Sequence, residues 1–311
     1  VSAFHNRQDS MSLPTAGFGA EPLPSPDGSV DDAAESGAEI AADAEGTGSE
    51  KSLASMRFIA QARERIETGD YEQAEALLKQ SLEEDPTNMQ AYVNLGSLYR
   101  KMGLLDEEMR TFEQWVASDP DNPMSRYHLA QSYIRQQLTD DALREVGSFE
   151  ELTTGDLSKT PMVASLYRQL NMTGREGEIL QAWLDQVPDS PDAHRAMAGY
   201  YHRNGNRDAA LTEYEKVVEL IPQNANAHQN LASMYQLAGY YQDAVRELTT
   251  AMELRPEDAN IQMQLGDAYR RGGNFDAAYQ VYQAIIDKAP DSSVAERANQ
   301  VITRMDRELN Q

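Results

Sequence analysis

From Ser55 onward the chain repeats itself every 34 residues, and this period restricts the fold more than any other feature. Seven units begin at Ser55, Met89, Pro123, Leu157, Pro191, Ala225 and Ala259, without insertion or deletion, and fill residues 55–292. The eighth place of each unit is small: Ala62, Gly96, Ala130, Ala164, Ala198, Ala232 and Gly266. The eleventh is Arg65, then Tyr99, Tyr133, Tyr167, Tyr201, Tyr235 and Tyr269. The twentieth is Ala74, Ala142, Ala210, Ala244 and Ala278, with Glu108 and Glu176 in units two and four. The thirty-second is Pro86, Pro120, Pro188, Pro222, Pro256 and Pro290, with Thr154 in unit three.

Each column has a physical reason. Small residues at the eighth and twentieth places let two helices approach closely, and a Tyr three residues later fills the next turn of the same face. Gly69, Gly103, Gly205, Gly239 and Gly273 fall where a first helix must end in a left-handed residue, and Asn171 takes that place in unit four. Proline near the unit's end stops the second helix. The spacing predicts a helix–turn–helix in every unit and an all-α protein. Residues 293–311 predict a capping helix, with Val294, Ala298, Val301, Ile302, Met305 and Leu309 on one stripe.

The motifs Gly69-Asp70-Tyr71-Glu72-Gln73-Ala74, Asp85-Pro86-Thr87-Asn88 and Asn94-Leu95-Gly96-Ser97-Leu98-Tyr99 resemble the tetratricopeptide repeat, and the likeness extends over all seven units. The resemblance implies a right-handed superhelical solenoid of seven helix-turn-helix units plus a C-terminal capping helix. First helices would line a concave groove that holds a peptide or a partner helix. In this family the second, fifth, ninth, twelfth and thirteenth places usually face the groove. Transferred to this chain, they supply Arg63, Arg100, Lys101, Arg135, Arg168, Arg195, Arg203, Arg270, Arg271 and His202, opposed by Glu67, Asp192 and Asp267. Apolar candidates on the same face are Met56, Ile59, Ile66, Val93, Met124, Tyr127 and Ile134.

A basic groove is unusual in a chain with 27 Lys plus Arg against 51 Asp plus Glu. One reading is capture of an acidic segment by a focused positive potential. The other is that the helix dipole favours bases near C-termini wherever they point. The Lys and Asn constellation by which chaperone-docking members of the family clamp a C-terminal carboxylate is missing. The fifth and ninth places hold Ile59 and Arg63, Val93 and Ser97, Tyr127 and Gln131.

The excess of acid also argues against nucleic acid as a partner. No apolar run reaches the roughly 20 residues of a membrane helix, so no direct membrane insertion is expected. No signal peptide is visible, and a cytoplasmic or a periplasmic location fits equally. The chain begins at Val1, which leaves a preceding leader or anchor open. There is no cysteine, so thiolate chemistry is excluded. No phosphate loop or nucleophile elbow is present, and no cofactor, metal or enzymatic activity is expected. His194 and His228 share the fourth place of adjacent units, where packing is the expected role. Residues 1–52, acidic and rich in small residues, are expected to be disordered. Their stretch 31–50 either stands free or folds back on the basic groove.

Two irregularities stand out. Trp115 and Trp183 share a place in units two and four and serve either packing or a partner. Gly147 and Thr153-Thr154-Gly155-Asp156 interrupt the second helix of unit three, and Thr160-Pro161 reads as an N-cap that delays the next helix. The joint is either a hinge or rigid. The functional expectation is a scaffold or assembly factor that binds a protein partner. A regulatory part of an enzyme complex and a self-associating homo-oligomer are the alternatives.

Overall fold

A computed structural model of the chain describes residues 50–309. The expectations for the acidic tail, including its return to the groove, lie outside these residues, except that the first helix begins at Glu50, inside the stretch expected to lack structure. The described residues form fifteen α-helices and no strand. Seven pairs follow one another: α1 (Glu50–Thr68) with α2 (Tyr71–Glu84), α3 (Met89–Met102) with α4 (Leu105–Ser118), and α5 (Pro123–Arg135) with α6 (Thr139–Leu152). Next come α7 (Thr160–Gln169) with α8 (Thr173–Gln186), α9 (Pro191–Arg203) with α10 (Arg207–Leu220), α11 (Ala225–Ala238) with α12 (Tyr241–Leu254), and α13 (Ala259–Arg271) with α14 (Phe275–Lys288). The last helix is α15 (Ser293–Leu309).

Close approach within a pair explains the small columns. A Cβ on Gly96 would lie 2.3 Å from the Phe112 ring, and one on Gly266 would lie 2.5 Å from the Tyr282 ring. The glycines that end first helices have φ near +80°, and Asn171 takes φ 58° in the same role. Unit three departs from the rule, because Gln137 holds the left-handed turn at φ 61° without a glycine or asparagine.

Neighbouring pairs are joined by polar contacts as well as by apolar clusters. The tyrosine column reaches back to the preceding unit's second helix: Tyr99 donates to Glu75 (2.8 Å), Tyr133 to Glu113 (3.0 Å), Tyr167 to Glu150 (2.6 Å) and Tyr235 to Glu215 (2.8 Å). Burial and the Glu113 carboxylate push the Tyr133 phenol up to about 12. The fourth place reaches the preceding proline carbonyl: Tyr92 to Pro86, His194 to Pro188, His228 to Pro222 and Gln262 to Pro256. The histidines also contact Glu213 and Glu247, at 2.6 and 2.8 Å. Both are therefore built into the joints between units.

The tryptophans belong to the core. Trp115 is fully buried and stacks on Tyr92 with ring centroids 5.5 Å apart; Trp183 is 7% exposed in a cluster with Leu180 and Met197. Both indoles serve the packing of the repeats.

The joint between α6 and α7 differs from its sequence reading in two respects. α6 runs unbroken through Gly147 and stops only at Leu152. A 3₁₀ turn, Leu157–Lys159, then leads into α7, where Thr160 is the first helical residue and Lys159 the cap, without a side-chain capping bond. The delayed start of α7 is present, but Thr160 is not its cap. Glu150 straps the joint by accepting from Tyr167 and from Arg175 (3.0 Å), while Phe149 packs with Val163 and Leu166. At the far end, Ala298, Ile302 and Met305 of α15 close on Met263, Tyr282 and Ile285.

Candidate partner-binding surface

The basic residues singled out in the sequence all lie on first helices, toward their C-terminal ends for the twelfth and thirteenth places. The thirteenth place faces back onto the start of the preceding second helix. Lys101 places its ammonium over the Tyr71 ring, 5.1 Å from the centroid. Arg135 holds Glu108 with two bonds, Nη2 to Oε1 at 2.5 Å and Nε to Oε2 at 3.3 Å. Arg203 donates to Glu176 Oε1 at 2.6 Å.

Glu108 and Glu176 are the two exceptions in the small twentieth column. They are only 1% and 4% exposed, so each is a buried carboxylate whose charge needs a partner. The following unit supplies it. Arg135 and Arg203 are consequently structural residues, and their inclusion among free groove cations is corrected.

Other pairs stay local. Arg195 meets Asp192 at 2.7 Å and Arg270 meets Asp267 at 3.3 Å, each three residues apart on one helix. Both are neutralised where they stand. Arg168 donates to Ser165 Oγ at 3.2 Å. Arg63 and Arg271 are exposed, and His202 is half-buried, with no acceptor for Nδ1.

Around Glu108 the charges do not balance. Arg100 also approaches it, Nη1 to Oε1 at 4.0 Å, so two guanidiniums share one carboxylate. His128 registers the excess. Burial among Phe112, Trp115 and Tyr127, then the charges of Arg135 and Arg100, lower its pKa to about 4. The imidazole stays neutral at physiological pH.

The apolar candidates separate as well. Ile59 is 5% exposed and packs with Ala91 and Leu95, so it belongs to the core; α1 leans directly on α3, which buries it. Val93 and Met124 are half-buried against the Tyr92–Phe112–Trp115 cluster, as are Tyr127 and Ile134 against the Phe149 cluster. Ile66 is half-buried in the first cluster, and Met56 is exposed. Asn94, next to Val93 on α3, receives a bond from Gln90 at Oδ1, while its Nδ2 is buried without an acceptor. The described residues hold no cluster of three or more histidine and carboxylate side chains placed for a metal, and no helix long and apolar enough to cross a membrane.

Family models for the tetratricopeptide repeat match residues 65–124 and 235–298, and a second such model matches 196–224. The chain is built of tetratricopeptide repeats. These repeats have a solved counterpart in yeast Tom70, with a TM-score of 0.58 and 16% identity over 84% of this chain. The chain spans only 55% of that Tom70 structure. A tetratricopeptide repeat protein from Parabacteroides merdae matches with a TM-score of 0.49 and 18% identity, over 79% of this chain and 97% of its own. MamA from Desulfovibrio magneticus RS-1 matches with a TM-score of 0.41 and 18% identity, over 54% of this chain and 95% of its own. At these identities the likeness is one of fold. No curated protein matches the sequence.

Proposed function

We propose that the chain is a non-enzymatic protein–protein interaction scaffold that holds a carboxylate-bearing segment of a partner against the first helices of units two to four. One observation carries this reading: Arg100 and Arg135 converge on the single buried carboxylate of Glu108, and the site keeps a positive charge in excess. Arg135 is committed to Glu108, whereas the Arg100 side chain remains half exposed. Arg168, two units beyond Arg100, has only a serine hydroxyl. These two arginines present guanidinium forks to a ligand, and forks match carboxylates bidentately. Beside them Val93, Met124 and Tyr127 offer half-buried apolar contacts.

Units five to seven support this role less. Of their groove bases, Arg195, Arg203 and Arg270 each meet a carboxylate within the protein, which leaves Arg271 as the exposed one. The reading therefore assigns the charged contact to the first half of the array.

The test is a titration of the full chain into a labelled peptide of alternating Glu and Leu, followed by fluorescence anisotropy. Arg100→Ser with Arg168→Ser should weaken binding roughly a hundred-fold, two charge-assisted contacts at about 1.5 kcal/mol each. Undiminished affinity in that variant rejects the proposal, as would equal binding of a Lys/Leu peptide at this surface.

A further inference from the structure

The fourth place of a unit can make two contacts, one with the turn before it and one with its own second helix. In units two and seven a neutral donor makes the first: Tyr92 donates to the Pro86 carbonyl at 3.0 Å and Gln262 to that of Pro256 at 2.9 Å. In unit three a permanent cation makes the second, Arg126 Nη1 to Glu145 Oε2 at 2.9 Å. His194 and His228 make both at once. His194 has Nδ1 at 2.6 Å from Glu213 Oε2 and Nε2 at 2.8 Å from the Pro188 carbonyl. His228 has Nδ1 at 2.8 Å from Glu247 Oε2 and Nε2 at 2.9 Å from the Pro222 carbonyl. Each glutamate stands 19 residues beyond its histidine, as Glu145 stands beyond Arg126.

The acceptors set the proton count. A carbonyl oxygen and a carboxylate can only accept, and a neutral imidazole has one N–H to give. With one proton on the ring, a nitrogen lone pair would face an oxygen in a joint that leaves His194 8% and His228 5% exposed. With two, every contact is a hydrogen bond and each buried ring has its counter-ion. Arg246 Nε also meets Glu247, at 3.3 Å, a second cation that suits an ionised carboxylate. The charged groups facing the rings are thus Glu213 from α10, and Glu247 with Arg246 and, beyond it, Asp243 from α12; the preceding turns supply the proline carbonyls.

We propose that His194 and His228 are held as imidazolium ions, which makes the joints on either side of unit five proton-dependent clips. Unit three makes the same carboxylate contact with the permanent charge of Arg126. Loss of the second proton sets a ring lone pair against an oxygen, so the clips loosen. The folded chain holds protons here that the unfolded chain gives up more readily, so stability from this source is complete in mild acid and falls as pH rises.

Two measurements on the full chain test this. Nitrogen-15 NMR of the histidine-labelled protein at about pH 7 reads the rings directly. His194→Gln and His228→Gln assign the signals, and Gln262 shows that an amide can hold the carbonyl in their place. Both nitrogens of each ring should resonate as protonated; an unprotonated nitrogen in either ring overturns the proposal. Thermal unfolding then compares the parent with His194→Gln plus His228→Gln. The parent's advantage in melting temperature should shrink by roughly 3 °C between about pH 6 and about pH 9. An advantage that is constant or grows with pH overturns the proton-dependent clips, and His128, common to both proteins, cancels.

Discussion

Arg135 Nη2 stands 2.5 Å from Glu108 Oε1 across the boundary between the second and third repeats, and Arg203 repeats the contact with Glu176 two units later at 2.6 Å. The two buried carboxylates occupy a place where the other five units have alanine, and each is made tolerable by the following unit's arginine. The pair locks register between neighbours, and it also decides which cations remain for a partner.

Removing Glu108 alone leaves Arg135 and Arg100 facing each other without an anion. Glu108→Ala should destabilise by about 2 kcal/mol, below the full range for buried pairs because Arg135 is 29% exposed. Glu108→Ala with Arg135→Met, two apolar replacements, should recover most of that loss. Urea denaturation of both variants measures the difference, and equal losses would refute the pairing argument.

Gln137 holds a left-handed turn that glycine holds in units one, two, five, six and seven. Gln137→Gly should therefore stabilise by about 1 kcal/mol, the strain of a Cβ in that conformation. A lower melting temperature would contradict this.

Glycine substitutions should diverge in sign. Gly96→Ala must displace the buried Phe112 ring and should cost about 2 kcal/mol. Gly147→Ala, mid-helix with open space around its Cβ, should gain about 0.5 kcal/mol. The two are compared by thermal unfolding.

Acid should weaken the array through His128. Its folded pKa, about 4, lies below the ordinary value of 6.5. The unfolded chain then takes up a proton that the folded chain refuses, so this contribution is fully present above pH 6.5 and is lost as pH falls toward 4. Among the groups around it, Arg135 and Arg100 reinforce the effect, so the comparison is made within one background. His128→Phe should lessen the fall in stability between pH 7 and 4.5 by about 2 kcal/mol. An unchanged pH profile would show that the imidazole charges freely in the folded protein.

Much of this architecture is legible in the sequence because every unit faces the same neighbours, so one physical requirement recurs as a column. The left-handed glycines, Asn171 and the small eighth place follow from backbone geometry and need no tertiary information. Glu108 and Glu176 are different. Along the chain they are merely defects in an alanine column, and their partners lie 27 residues away in the next unit. A signal existed: Arg135 and Arg203 sit 68 residues apart, as do the two glutamates and the two tryptophans. Ile59 was hidden for another reason. A place that faces outward in a repeat pattern is covered here because α1 leans on α3, and the pattern carries no information about that angle. Gln137 shows the reverse, a turn imposed by its flanking helices on a residue that does not favour it.

The central claim is that first helices of units two to four form the surface that takes the partner segment. Hydrogen exchange of the full chain with and without the Glu/Leu peptide locates that surface directly. Added protection should fall on α3, α5 and α7, centred on Arg100 and Arg168. Protection confined to α4, α6 and α8, or to the last three units, would contradict the account.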